Sequence, residues 1–149
     1  MYDETCVFCR EIIKNRNAAF VYEDDCVSAF MDSAPIEDGH VLVIPKGHYE
    51  NIFDIDKEIY IKIQLAVKKI TMAIQDSLKC NGLNIGQNNG RVANQVVMHY
   101  HMHIIPRYYP KKINWEREIV DKADLEIIAK KIRENLKKVD EYEKSGRIT

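Results

Sequence analysis

From residue 57 to 79 the apolar positions Ile59, Ile63, Val67, Ile70, Ile74 and Leu78 recur every three or four residues. That is the period of a long helix with one buried face, and Gly82 is its expected stop. The same stripe returns in Leu125, Ile128, Ile132, Leu136 and Val139. It predicts a last helix capped by Asp121 or Asp124, with a polar tail fraying from Glu143. Outside these helices the apolar runs are short. Residues 19–23 and 27–31 are β-prone and flank Asp24-Asp25, which reads as a hairpin. Residues 32–39 carry turn chemistry, and 40–44 form a buried strand closed by Pro45. A loop with His48 follows, then a strand at 83–86, a Gly/Asn loop at 87–94 and a long strand at 95–106. Residues 6–14 suit a short helix. Hairpins, a long helix and further strands describe an α+β fold, a mostly antiparallel sheet with the long helix packed on it and a C-terminal helix.

The strand at 95–106 holds the chemistry. Residues 99–103 read His-Tyr-His-Met-His. Alternate strand residues share a face, so His99, His101 and His103 line one side, while Val96, Met98, Tyr100, Met102 and Ile104 line the other. Three buried imidazoles are poor core filling, because each unmet ring nitrogen costs ~1–3 kcal/mol. Two chemistries want the arrangement. Histidines at alternate strand positions can share a zinc ion, and three with a water make a hydrolytic site. Alternatively, neutral imidazole is a nucleophile near its ordinary pKa of ~6.5, provided a neighbour fixes its tautomer and leaves one nitrogen bare.

Composition narrows the partners. The chain has 149 residues, 46% hydrophobic and 30% charged, with a formal net charge of −1. That is a folded domain, not a disordered or collagen-like chain. It lacks the strong positive field that non-specific nucleic-acid binding needs. The start is acidic, with no apolar segment of a signal peptide, and apolar runs are far short of the ~20 residues of a membrane span. A cytoplasmic protein with no membrane or nucleic-acid partner is expected. In a reducing compartment the pair Cys6-Val-Phe-Cys9 reads as half a zinc site or as two buried thiols on a short helix. Cys26 and Cys80 read as core residues.

The triad His99-Tyr-His101-Met-His103-Ile-Ile105 resembles the signature of the histidine triad proteins. Further stretches are similar in order and spacing: Cys6-Val-Phe-Cys9, Val21-Tyr-Glu-Asp24, Ala29-Phe-Met-Asp32, Gly39-His-Val-Leu-Val-Ile-Pro-Lys46, His48 and Asn84-Ile-Gly-Gln-Asn-Asn-Gly90. The resemblance spans roughly residues 5–108. It implies a domain at 1–108, with 109–149 as an extension carrying one helix in the same structural unit. The triad ends in histidine, not in the glutamine of the related galactose-1-phosphate uridylyltransferases, which favours a hydrolase over a transferase.

The resemblance also implies roles. His101 attacks the α-phosphorus of a nucleotide ester, anhydride or phosphoramidate and forms a nucleotidyl-histidine that water cleaves. His103 sits by the phosphate and moves a proton. The His99 carbonyl accepts from the His101 ring. Asp32 binds the ribose hydroxyls, although a turn-opening Asp accounts for it equally. Phe30 and Ile44 wall the base, Asn88 touches the phosphate or ribose side, and Gln95 lies beside the phosphate. Cys6, Cys9, His48 and His99 hold a structural zinc, a closed tetrahedral set with no open position. His40 is structural, its ring bonding across the sheet. The implied partner is a purine nucleotide or nucleotide conjugate. A homodimer is implied too, with the long helix and the strand before it as candidate faces.

The family's Gly-Gln-Ser-Val before the triad stands here as Asn94-Gln95-Val96-Val97. Asn tolerates positive φ. Val96 offers no hydroxyl where phosphoramidase members contact the phosphate side or leaving group, which counts against efficient phosphoramidate cleavage. Competing readings are a diadenosine polyphosphate hydrolase, a zinc hydrolase using all three triad rings, and a purine nucleotide-binding regulator with little turnover. Tyr108, Tyr109 and Trp115 either cover the pocket or pack on the last helix, with packing favoured.

Overall fold

In the computed structural model, which describes residues 1–147, five strands form one antiparallel sheet. They are β1 (Phe20–Glu23), β2 (Val27–Met31), β3 (Val41–Pro45), β4 (Gly82–Gln87) and β5 (Met102–Arg107), in the spatial order β1-β2-β3-β5-β4. The central strands β2 and β3 are buried at every position, which is why they read as unbroken apolar runs. Their residues alternate between two cores. Val27, Ala29, Met31, Val41 and Val43 face the two long helices. Phe30, Leu42 and Ile44 face a short π-type helix, Phe8–Lys14, that contributes Phe8, Cys9 and Ile12 to a second, smaller core.

Helix α1 (Lys57–Leu78) packs Ile63, Val67, Ile70 and Ile74 on the sheet. Asp56 caps its start, accepting from the amides of Glu58 and Ile59. Its end differs from expectation. Lys79 takes the left-handed conformation at φ 52° and stops the helix, while Gly82 opens β4. Helix α2 (Lys122–Lys144) is capped by Asp121 and buries Leu125, Ala129, Ile132, Leu136 and Val139 in the same core. The helix continues through Lys144 and closes on Ser145, past Glu143, where fraying was expected. Residues 148–149 of that tail lie outside the described residues.

Two further expectations change. The strand at 95–106 is regular only from Met102. Pro45 at the end of β3 has no N–H, and its carbonyl accepts from the His99 ring at 2.9 Å instead of from a neighbouring strand. The β3–β5 ladder ends at Val43 and Met102, while Pro45 still pairs with Val27 of β2, and residues before Met102 take their bonds from loops, as Tyr100 does by donating its amide to the Tyr49 carbonyl at 2.6 Å. The strand before the long helix, β3, lies inside the sheet between β2 and β5. It cannot serve as a contact face, whereas β4 is a free edge.

Since Ile70 is wholly buried between α1 and the sheet, Ile70→Ala should lower unfolding free energy by about 2–5 kcal/mol. Ile127→Ala, on the exposed side of α2, should stay within about 0.5 kcal/mol of the parent. Urea denaturation measures both, and equal losses would contradict this placement of the core.

Candidate functional site

Around the triad each ring nitrogen can be assigned from its partner. His99 directs Nε2 at the Pro45 carbonyl, 2.9 Å away. A carbonyl only accepts, so Nε2 carries the proton and Nδ1 keeps its lone pair. That Nδ1 lies 3.4 Å from Cys6 Sγ and 3.7 Å from Cys9 Sγ. His48 brings its own Nδ1 within 3.6 Å of Cys9 Sγ. The four donor atoms all lie within 4.8 Å of one another. Bonds of about 2.0–2.3 Å at tetrahedral angles separate the ligand atoms of a zinc ion by about 3.3–3.8 Å, so this set fits zinc. Burial pushes the Cys9 thiol up and holds His99 neutral, with a pKa of about 4. The histidine lone pair is thus ready, and a bound cation would draw the proton from the thiol.

His101 is held differently. Its Nδ1 donates to the His99 backbone carbonyl at 2.6 Å, as the resemblance implied. Burial lowers its pKa below the ordinary histidine value. The neutral ring therefore has its proton on Nδ1 and a bare Nε2. The edge of Phe8 packs against it, with ring centroids 5.4 Å apart.

His103 completes a relay of assigned tautomers. The Ile36 amide donates to His40 Nδ1 at 3.0 Å. Burial, helped by the Arg117 charge, pushes the His40 pKa down to about 3, so its single proton sits on Nε2. That nitrogen is 2.9 Å from His103 Nδ1 and donates to it. His103, pushed mainly by burial to about 4, is then left with its proton on Nε2. The result is two adjacent rings with centroids 5.0 Å apart, one with a bare nitrogen and one with an N–H. Such a pair can attack an electrophile and hydrogen-bond to what leaves. Asp32, His40 and His103 also lie close enough to suggest a second metal site. His40 does not suit one, because its Nδ1 already accepts a backbone N–H and its Nε2 carries the proton.

Both rings open onto a cavity of about 970 Å³ lined also by Phe30, Asp32 and Asn88, as expected. Other expected residues sit elsewhere. Ile44 is fully buried behind Leu42, in the smaller core. Leu42, opposite His103 in the sheet register, lines the cavity in its place. Gln95 is not among the residues that line the cavity. Its buried amide accepts from the Gly90 amide and donates to the carbonyls of Glu50 and Val97, bracing the loop before the triad. Val96, expected on the far face, is 80% exposed and lines the cavity, because the chain there is not a regular strand. Asn94 does take positive φ, at 65°. The three triad rings do not converge on one point: His99 faces the thiols, while His101 and His103 face the cavity.

In the segment between β5 and α2, sequence reasoning missed Arg117 and leaned to packing for Trp115. Trp115 lines the cavity at 71% exposure and does not pack on the last helix. Arg117 lines it too, with its guanidinium on Asp32. No periodicity or motif marks this stretch, so only the fold brings it to the site.

Comparison with known proteins agrees with this geometry. The HIT domain profile matches residues 14–109. A Bacillus subtilis protein called Protein hit is 49% identical over 105 residues, covering 70% of this chain and 72% of its own. An adenosine 5′-monophosphoramidase of Candida albicans is 35% identical over 144 residues, covering 91% of this chain and 94% of its own. The crystal structure of a zinc-bound histidine triad family protein from Mycobacterium smegmatis superposes with a TM-score of 0.82 at 31% identity, covering 92% of this chain and 96% of that one. With that profile spanning the sheet, the long helix and the whole triad, the chain belongs to the HIT domain family.

Proposed function

We propose that this protein hydrolyses nucleotides in which a nucleoside monophosphate is joined through its α-phosphate to another group, through a covalent nucleotidyl intermediate on His101. The observation that carries the reading is the fixed tautomer of His101: Nδ1 is committed to the His99 carbonyl, and bare Nε2 belongs to a ring on the cavity wall. In the first half-reaction Nε2 attacks the phosphorus while the bond to the leaving group breaks on the opposite side. His103 Nε2–H donates a hydrogen bond to the departing atom, and the leaving group collects its proton from solvent. The phosphorylated ring is cationic, and the His99 carbonyl on Nδ1–H stabilises that charge. In the second half, water attacks the phosphorus and releases a proton to solvent, which returns the one the leaving group took, and the phosphorus–nitrogen bond breaks to restore neutral His101.

Asp32, Phe30 and Asn88 line the cavity, which supports Asp32 and Phe30 as the residues that receive the nucleoside and Asn88 as a contact on the phosphate or ribose side. The likeness to a monophosphoramidase supports a phosphoramidate among the substrates. Val96, on the cavity wall without a hydroxyl, favours anhydrides and esters. A purine is the proposed base. A homodimer is part of the same reading, supported by exposed Ile61 and Leu65 on α1 and by the open edge of β4. The four cysteines are free thiols, as a reducing cytoplasm would keep them. No helix among the described residues is long and apolar enough to cross a membrane.

Cys6, Cys9, His48 and His99 would hold a structural zinc. When bound, the ion supplies a crosslink between the N-terminal helix and the residue whose carbonyl orients His101.

His101→Ala should reduce turnover of an AMP ester by on the order of 10⁴-fold or more, while AMP still binds with an affinity near that of the parent. Steady-state kinetics and calorimetry measure the two, and turnover within tenfold of the parent would remove His101 as nucleophile. Elemental analysis of the purified protein should find about one zinc per chain, since four ligands fill one tetrahedral ion. Cys9→Ser should lose most of it and melt at a lower temperature, and unchanged zinc in that variant would exclude Cys9 from the site.

A further inference from the structure

The segment linking β5 to α2 is tied to the turn between β2 and β3 at several points. Val120 donates its amide to the Ser33 carbonyl at 2.9 Å. Arg117 donates Nε–H to the Ala34 carbonyl at 2.6 Å and pairs Nη2 with Asp32 Oδ2. Lys111 pairs with Glu37 at 3.2 Å, and the Tyr108 hydroxyl donates to the Asp38 carbonyl at 3.1 Å. One guanidinium thus clamps both the carboxylate of Asp32 and the backbone two residues later.

The state of that carboxylate can be counted. An ionised carboxylate offers about four acceptor positions, two on each oxygen. On Asp32, Oδ1 takes the Ala34 amide at 2.9 Å and Oδ2 takes Arg117. His40 Nε2 is 3.6 Å from Oδ2, too far for a hydrogen bond, and is engaged with His103. Each oxygen therefore keeps one free acceptor position on a side chain that lines the cavity. Two adjacent acceptors, one per oxygen, match the two hydroxyls of a cis-diol. A carboxylate bonded by the turn amide alone is free to rotate about its terminal torsion, which is soft. With Arg117 on the second oxygen the rotation is blocked and the acceptor pair is aimed before the ligand arrives.

We infer that Arg117 is a positioning residue for nucleoside recognition: by clamping Asp32 to the turn it presents both carboxylate oxygens to the ribose diol and makes the segment after β5 part of the nucleoside subsite. The inference rests on the proposed reading of the cavity as a nucleotide site and adds a determinant of ribose over deoxyribose. Arg117 acts through Asp32, and its contribution belongs to binding, not to the chemistry at phosphorus.

The test is calorimetric titration of AMP and 2′-deoxy-AMP into the full-length parent, Arg117→Ala, Arg117→Lys and Asp32→Asn, with steady-state kinetics on an AMP ester and thermal melts as folding controls. The parent should prefer AMP, and Asp32→Asn should abolish the preference. Arg117→Ala should cut the preference at least threefold and raise KM more than it lowers kcat, while Arg117→Lys recovers part of it. Equal weakening of both ligands by Arg117→Ala would mark a merely structural clamp and overturn the inference. Tighter AMP binding would overturn it too, showing that Arg117 competes with the ribose. An unchanged preference in Arg117→Ala, with loss in Asp32→Asn, would defeat the role of Arg117 alone. An unchanged preference in Asp32→Asn would instead defeat the placement of the ribose at Asp32, and the inference with it.

Discussion

The site depends on one hydrogen bond, from His101 Nδ1 to the carbonyl of His99. An imidazole has two nitrogens and, when neutral, one proton. A carbonyl two residues earlier settles which nitrogen bears it. The bond also fixes ring orientation, and it gives a developing positive charge on the ring a partner that costs no reorganisation. Burial acts in the same direction by holding the ring neutral. In a rotated His101 the lone pair would meet the carbonyl, and neither the nucleophile nor its stabilisation would survive.

His99 joins two sites because its backbone and its ring point different ways. The carbonyl serves His101, while the ring, oriented by Pro45, turns its lone pair to Cys6 and Cys9. A residue fixed through its ring has little freedom to swing its carbonyl, so the cysteine–histidine cluster steadies the His101–His103 pair without touching the cavity. The N-terminal helix reinforces this through Phe8, whose ring meets Phe30, His99 and His101 edge-on. Pro45 matters twice: it ends β3, and its carbonyl orients His99.

Much of this was legible in the sequence because it rests on short-range periodicity. The stripes of α1 and α2, the β1–β2 hairpin and the run in β3 each bury residues at the spacing their geometry imposes. The triad's alternation placed His101 and His103 together because both flank or lie in β5, where side chains alternate. The same rule failed for Val96, where the backbone leaves the ladder and the side chain turns to the cavity. The expectations for Gln95 and Ile44 came from the resemblance instead: loop bonds hold the Gln95 amide, and the N-terminal helix covers Ile44. Trp115 was legible only as an aromatic that would cover the pocket or pack on the last helix, and Arg117 carried no signal at all. Arg117 is held at the cavity by its bonds to Asp32 and the Ala34 carbonyl in the β2–β3 turn, which local pattern does not encode.

The central claim is that a bare His101 nitrogen takes the nucleotide. The direct measurement is a single-turnover reaction with an AMP ester labelled at the α-phosphate, rapidly quenched, with the labelled peptide and its bonded atom mapped. The account predicts transient label on His101 Nε2, appearing with the leaving group and decaying as AMP is released. Release of AMP with no protein-bound label, or label on His103 or His40, would contradict it.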